Sequence, residues 1–161
     1  MKKKKIKNKL LWNILSAVAV GVFGFILLNL TFILDALYQG TIRGIIRLFM
    51  PLGPENQLYW FPPLMHFSFV VIIGVISWFV FRTKMRVLLK AIYMTVPAAV
   101  VLATIGMFLN HWPVLVYSIG FLGCIGTSYY FYRTKQPWLY YYAVILVALA
   151  MAIFTLTGGE I

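Results

Sequence analysis

Acidic residues are almost absent from this chain. It has Asp35, Glu55 and Glu160 against fourteen lysines and arginines, for a formal net charge of +11 over 161 residues. One aspartate excludes a two-aspartate intramembrane protease by count. Cysteine is rarer still. Cys124 stands alone, so the chain closes no disulfide within itself and has no CxxC redox or zinc pair. Histidine occurs only at His66 and His111, and neither lies in an HExxH or other metal-ligand spacing. GxSxG is missing too. No metal and no cofactor is expected from these motifs. Charge of either sign is scarce, at 11% of residues, where soluble domains average about 25%.

What fills the chain instead is apolar. Hydrophobic residues make up 63% of it. A water-soluble fold of this length cannot hide so much apolar surface, so lipid must be part of its solvent. A surplus of cations otherwise suggests nucleic acid. Here the cations stand at the ends of apolar runs, where membrane proteins place them. Nucleic acid is therefore not an expected partner, and the cell membrane is the expected location.

Five runs are long enough to cross a hydrocarbon core of about 30 Å, which takes about 20 helical residues. They are 10–34, 64–81, 91–109, 114–132 and 138–157. In lipid every backbone group must be satisfied within its own segment, so these runs read as helices. The expected fold is all-α: one polytopic domain, a bundle of five transmembrane helices. Pro97 lies inside the third and should kink it. The lysine-rich start, followed by "AVA" at 17–19, resembles a signal peptide in outline. Its apolar run of about 25 residues exceeds an h-region of about 7–15, so an uncleaved first span is expected.

Orientation follows from the cations. With the N-terminus cytoplasmic, twelve of the fourteen lie inside, from Lys2 to Lys9, Arg82 to Lys90, and Arg133 with Lys135. Only Arg43 and Arg47 lie outside, along with all three acids. The positive-inside rule thus gives N-terminus in and C-terminus out. Two Arg-Thr-Lys triplets, 82–84 and 133–135, mark helices arriving at the inner face. Around the second, Tyr129, Tyr130, Tyr132, Trp138, Tyr140, Tyr141 and Tyr142 should form an interfacial belt, with Gln136 and Pro137 making the turn. At an offset of 51 residues Pro62 meets Pro113 and the two triplets coincide. Two parallel hairpin repeats would produce that. So would one interface selecting the same residues twice, which is the simpler expectation.

The longest connection is 35–63. Within it Ile42, Ile45, Ile46 and Phe49 recur at i, i+3, i+4 and i+7. This predicts a short amphipathic helix over 41–50 lying in the outer interface, although Gly44 weakens it. The segment 51–63 breaks that helix and returns through Tyr59, Trp60 and Phe61.

Candidate ligand or lipid-phosphate residues gather near the outer face: Arg43, Arg47, Asp35, His66 and His111. Arg43 and Arg47 sit one turn apart, and guanidinium groups bind phosphate in a bidentate way. Snorkelling, or pairing with Asp35 and Glu55, explains them more simply. Asp35, His66 and Ser68 can be drawn as a Ser-His-Asp set, but their spacing does not support it. Two imidazoles could hold haem or share a metal; interfacial histidines bonded to water or backbone are the expected state. Gly120, Cys124 and Ser128 repeat every four residues, a small-residue face that packs helices closely or seats a partner membrane subunit. The leading expectation is a non-enzymatic accessory or assembly subunit. The alternatives are a small transporter or lipid-handling protein using 35–63, and an outer-face enzyme acting on lipid headgroups. A phosphatase reporter fused after Glu160 should be active, and one fused after Lys135 inactive. The reverse pattern, or activity at both, would overturn the five-span topology.

Overall fold

The computed structural model describes residues 2–49, 61–109 and 111–156. They form five α-helices and no strand: α1 (Lys2–Phe49), α2 (Phe61–Arg82), α3 (Val87–Leu109), α4 (Pro113–Arg133) and α5 (Trp138–Leu156). Four contain segments long and apolar enough to cross a membrane: Lys9–Phe49, Pro63–Arg82, Val87–Leu109 and Pro113–Arg133. The fifth is apolar over the shorter stretch Trp138–Phe154. The expected bounds of α2 to α5 agree to within a few residues. The proposed return segment through Tyr59 and Trp60, and the acids Glu55 and Glu160, lie outside the described residues.

The first helix departs from expectation. No break occurs at Asp35, and the separate interfacial helix expected over 41–50 is the far end of α1, continuous to Phe49. A helix of 48 residues is about 72 Å long, more than twice the hydrocarbon thickness. Side chains explain the continuity. Asp35 accepts a bond from Gln39 Nε2 at 3.1 Å, and Gln39 Oε1 accepts one from Arg43 at 3.4 Å. These i, i+4 pairs staple consecutive turns. Thr41 also bonds back to the Leu37 carbonyl at 2.8 Å. Gly40 and Gly44 lie within the continuous helix, and a Cβ on either would meet nothing within 4 Å.

Every other helix touches α3. Its buried residues are Ala91, Thr95, Val96, Ala99, Val100, Ala103 and Gly106. Most are small, so neighbouring backbones come close. One close approach is to α1. A Cβ on Gly24 would stand 2.7 Å from Thr95 Cγ2. Thr95 cannot swing freely, because its hydroxyl donates to the Ile92 carbonyl at 2.7 Å. Ser16, Val20, Gly24 and Thr31 are the buried face of α1, spaced by four or seven residues as one helical stripe demands.

Both Arg-Thr-Lys triplets lie at one end of the bundle. There the rings of Phe81, Tyr93, Phe131 and Tyr140 form a connected cluster with centroids 6.0–6.4 Å apart. Lys90 Nζ donates to the Phe81 carbonyl at 2.7 Å, satisfying one of the last carbonyls of α2. Arg82 stacks on Trp78, 4.0 Å from the ring centroid. The expected aromatic belt divides. Tyr129, Tyr130, Tyr132 and Trp138 are exposed, whereas Tyr140 is buried in the core with Val20, Ala91 and Phe131.

The two triplets close different turns. After α4, Gln136 N–H bonds to the Phe131 carbonyl and Lys135 N–H to that of Tyr132, at 2.9 and 3.1 Å. This is a Schellman motif, and Lys135 takes its left-handed position with φ 52°. Lys135, not Gln136 or Pro137, reverses the chain. After α2, Met85 N–H reaches only the Thr83 carbonyl, at 2.8 Å, and no positive φ occurs there among the described residues.

Gly24→Ala is expected to cost about 1–3 kcal/mol by overpacking against Thr95, read as a lower unfolding temperature in detergent. Gly40→Ala, in open surroundings, should be neutral or stabilise by up to about 1 kcal/mol.

Candidate functional site

Two features stand out in the half of the bundle away from the Arg-Thr-Lys turns. The first is polar and lies where α1, α2 and α3 meet. Eleven residues separate Gly24 from Asp35, close to three helical turns, so Asp35 shares the face that packs on the bundle. It meets His66, in the second turn of α2. His66 Nδ1 lies 3.6 Å from Asp35 Oδ2, with side-chain exposures of 7% and 14%. Its Nε2 lies 3.0 Å from Thr104 Oγ1 on α3. The Phe108 ring covers the imidazole at 6.5 Å. One turn away, the Tyr38 and Ser68 hydroxyls bond at 2.9 Å.

Hydrogen-bond logic fixes the imidazole's outer nitrogen. Thr104 has one hydroxyl proton, and its oxygen lies 2.6 Å from the Val100 carbonyl. A carbonyl only accepts, so the hydroxyl proton goes there. Oγ1 must then accept from His66, and Nε2 carries hydrogen. Nδ1 faces Asp35 and has no hydrogen-bond partner. Gln39 is fixed in the same way. Arginine only donates and a carboxylate only accepts, so the amide turns its oxygen to Arg43 and its NH2 to Asp35.

The sequence candidates therefore separate. Asp35 and His66 come together, and Arg43 joins them through Gln39. Arg47, one turn further along α1, is exposed. His111 is exposed in the α3–α4 connection, whereas His66 is buried. His66 is thus not the water- or backbone-bonded interfacial histidine that was expected. The Ser-His-Asp set fails on Ser68, which is bonded to Tyr38 and donates to the Met65 carbonyl at 2.7 Å. No cluster of three or more His, Cys, Asp or Glu able to hold a metal occurs among the described residues. Sequence reasoning passed over Gln39, Tyr38 and the pairing of Thr104 with His66. The i, i+4, i+8 series Asp35, Gln39, Arg43 was the available signal for the first.

The second feature is an apolar cavity of about 650 Å³ among α3, α4 and α5. Leu102 and Ile105 line it from α3, Val116, Tyr117, Gly120, Phe121 and Cys124 from α4, and Ile145, Ala148, Leu149 and Ala152 from α5. Its volume lies within the range of about 300–1,000 Å³ typical of small-ligand sites. Small side chains create it. A Cβ on Gly120 would sit 3.6 Å from Leu102, an ordinary contact. Gly120 therefore supplies space, not a close backbone approach. Two of the three small residues read as a packing or partner face, Gly120 and Cys124, border this cavity. Thr104 and the cavity-lining pair Leu102 and Ile105 lie on different faces of α3, so one helix separates the two features.

Compared with family models, curated proteins and solved structures, the chain matches none.

Cys124 is the sole thiol and half-buried against this cavity. It should react with a membrane-permeant maleimide and resist a charged, impermeant thiosulfonate. Equal labelling by both would mean that the cavity opens to water.

Proposed function

We propose that this chain is an integral membrane protein of five spans, N-terminus cytoplasmic and C-terminus outside, that binds a lipid. The lipid's apolar chain occupies the cavity among α3, α4 and α5. The observation that carries this reading is the cavity itself, apolar on three sides and in the half opposite the cationic turns. The spans draw support from helix length. The 19 residues of α5 reach about 28 Å, close to the hydrocarbon core of about 30 Å. Side comes from charge, because the lysine-bearing start of the sequence and both Arg-Thr-Lys triplets mark one end of the bundle.

Of the readings open to the sequence, this is the lipid-handling one, with its site moved. The tail lies against α4 and α5 instead of the 35–63 segment. The accessory-subunit reading stands second, for a specific reason. Gly120 and Cys124 would equally seat a partner's helix, but that helix would have to enter the same space. The enzyme reading lacks a nucleophile in the polar cluster, since the hydroxyl protons of Ser68 and Thr104 both go to backbone carbonyls.

Native mass spectrometry of protein extracted in mild detergent tests the proposal. The chain should carry a lipid mass. The double variant Gly120→Leu/Ala148→Leu fills the cavity and should reduce that adduct at least about tenfold, a loss of about 1.4 kcal/mol. An adduct retained in full by the variant would place the lipid elsewhere. A polypeptide mass in place of a lipid would favour the subunit reading.

A further inference from the structure

The Asp35–His66 pair belongs to no step of lipid binding, and its geometry carries a separate conclusion. A buried imidazole nitrogen with no hydrogen-bond partner is costly unless it carries a proton for a facing acceptor. Nδ1 of His66 is such a nitrogen, and the nearest acceptor is Asp35 Oδ2 at 3.6 Å. Thr104 holds the opposite nitrogen as N–H, so only Nδ1 is left to gain or lose hydrogen. Gln39 presents its NH2 to Asp35 Oδ1, an arrangement suited to an ionised carboxylate.

We propose that Asp35 and His66 form a site for a single proton, bound at His66 Nδ1 against the Asp35 carboxylate and reached along the face of α1 that carries Gln39 and Arg43. Uptake makes one N–H bond at the Nδ1 lone pair and leaves an imidazolium–carboxylate pair. Release returns that proton to solvent and leaves a lone pair facing a carboxylate oxygen, which is repulsive. The proton therefore holds α1 to α2, while Thr104 ties the same ring to α3. The inference rests on this polar cluster alone and is independent of what the cavity binds.

Among the described residues, few other charges face the pair. On α1, Arg43 acts through Gln39 and Arg47 follows one turn beyond. The only charged residues of α2 and α3 are Arg82 and Lys90, both at the opposite end of the bundle. Tyr38 is engaged with Ser68, and Tyr93 lies 3.2 Å from the Ser77 hydroxyl in the other half. Thr104 and Phe108 are the neighbours from α3.

The chain has only two histidines, which makes the test direct. In a His111→Gln background every imidazole signal belongs to His66. Ring-15N histidine spectra in lipid nanodiscs, taken between about pH 5 and 9, read each nitrogen separately. Nε2 should stay protonated throughout, and Nδ1 alone should change. Asp35→Asn removes the carboxylate that faces Nδ1 and should alter the Nδ1–H signal of the protonated ring. Thr104→Val removes the acceptor at Nε2 and should let hydrogen appear on either nitrogen of the neutral ring. A neutral ring carrying hydrogen at Nδ1 in the parent would overturn the proposal. So would an Nδ1 that never changes, or an Nδ1–H signal left unaltered by Asp35→Asn.

Discussion

The separation between α1 and α3 at Gly24 governs the rest of the bundle. No side chain longer than hydrogen fits there, because Thr95 already occupies the space. This contact sets both the rotation and the depth of α1. Four residues before it, Val20 enters the core beside Ala91 and Tyr140. Three turns after it, Asp35 arrives at His66. A bulkier residue at 24 would push α1 outward and separate a carboxylate from an imidazole more than 15 Å along the helix, at about 1.5 Å per residue. Packing at one small residue thus places chemistry at another.

Polar groups inside the helices follow a common rule. In hydrocarbon each must find a partner close by. Most hydroxyls reach back one turn to a carbonyl on their own helix, as Thr31, Ser77, Thr104 and Thr127 do at 2.6–2.8 Å. Such bonds satisfy the hydroxyl proton within one helix, and the oxygens of Ser77 and Thr104 still meet Tyr93 and His66 across helices. Asp35 accepts from Gln39 on its own helix, but its second oxygen and the His66 ring find their neighbours only across helices. Their side chains meet across helices and, with Thr104, join α1, α2 and α3 by polar contacts. α3 consequently divides the molecule, with the proton site on one side and the apolar cavity on the other.

Small residues serve two opposed purposes here. On α1 and α3 they bring backbones together: Gly24 meets Thr95, and Ala99 and Ala103 are buried. On α4 the same spacing of small residues keeps helices from filling the space between them. Gly120 and Cys124 line the cavity together with Ala148 and Ala152 of α5, which are small as well. A small-residue stripe read from sequence does not say which of these outcomes holds, since the answer depends on what stands opposite.

The sequence by itself determined the all-α class, the placement of α2 to α5 and the gathering of twelve of the fourteen cations in three short stretches. These depend on local quantities, namely apolar run length, proline position and charge at run ends. Only the tertiary structure decided the remainder. Asp35 looked like the end of a span because a charge follows an apolar run, yet side-chain ties to Gln39 and Arg43 carry the helix onward. Tyr140 looked like its neighbours Tyr141 and Tyr142, but helix rotation turns it into the core. The two Arg-Thr-Lys triplets share residues and lie at the same end, while their backbones turn differently. His66 acquired Asp35 and Thr104 from segments 31 and 38 residues away. Such meetings depend on the rotation and crossing of packed helices, and no single window of sequence contains the partner that sets them.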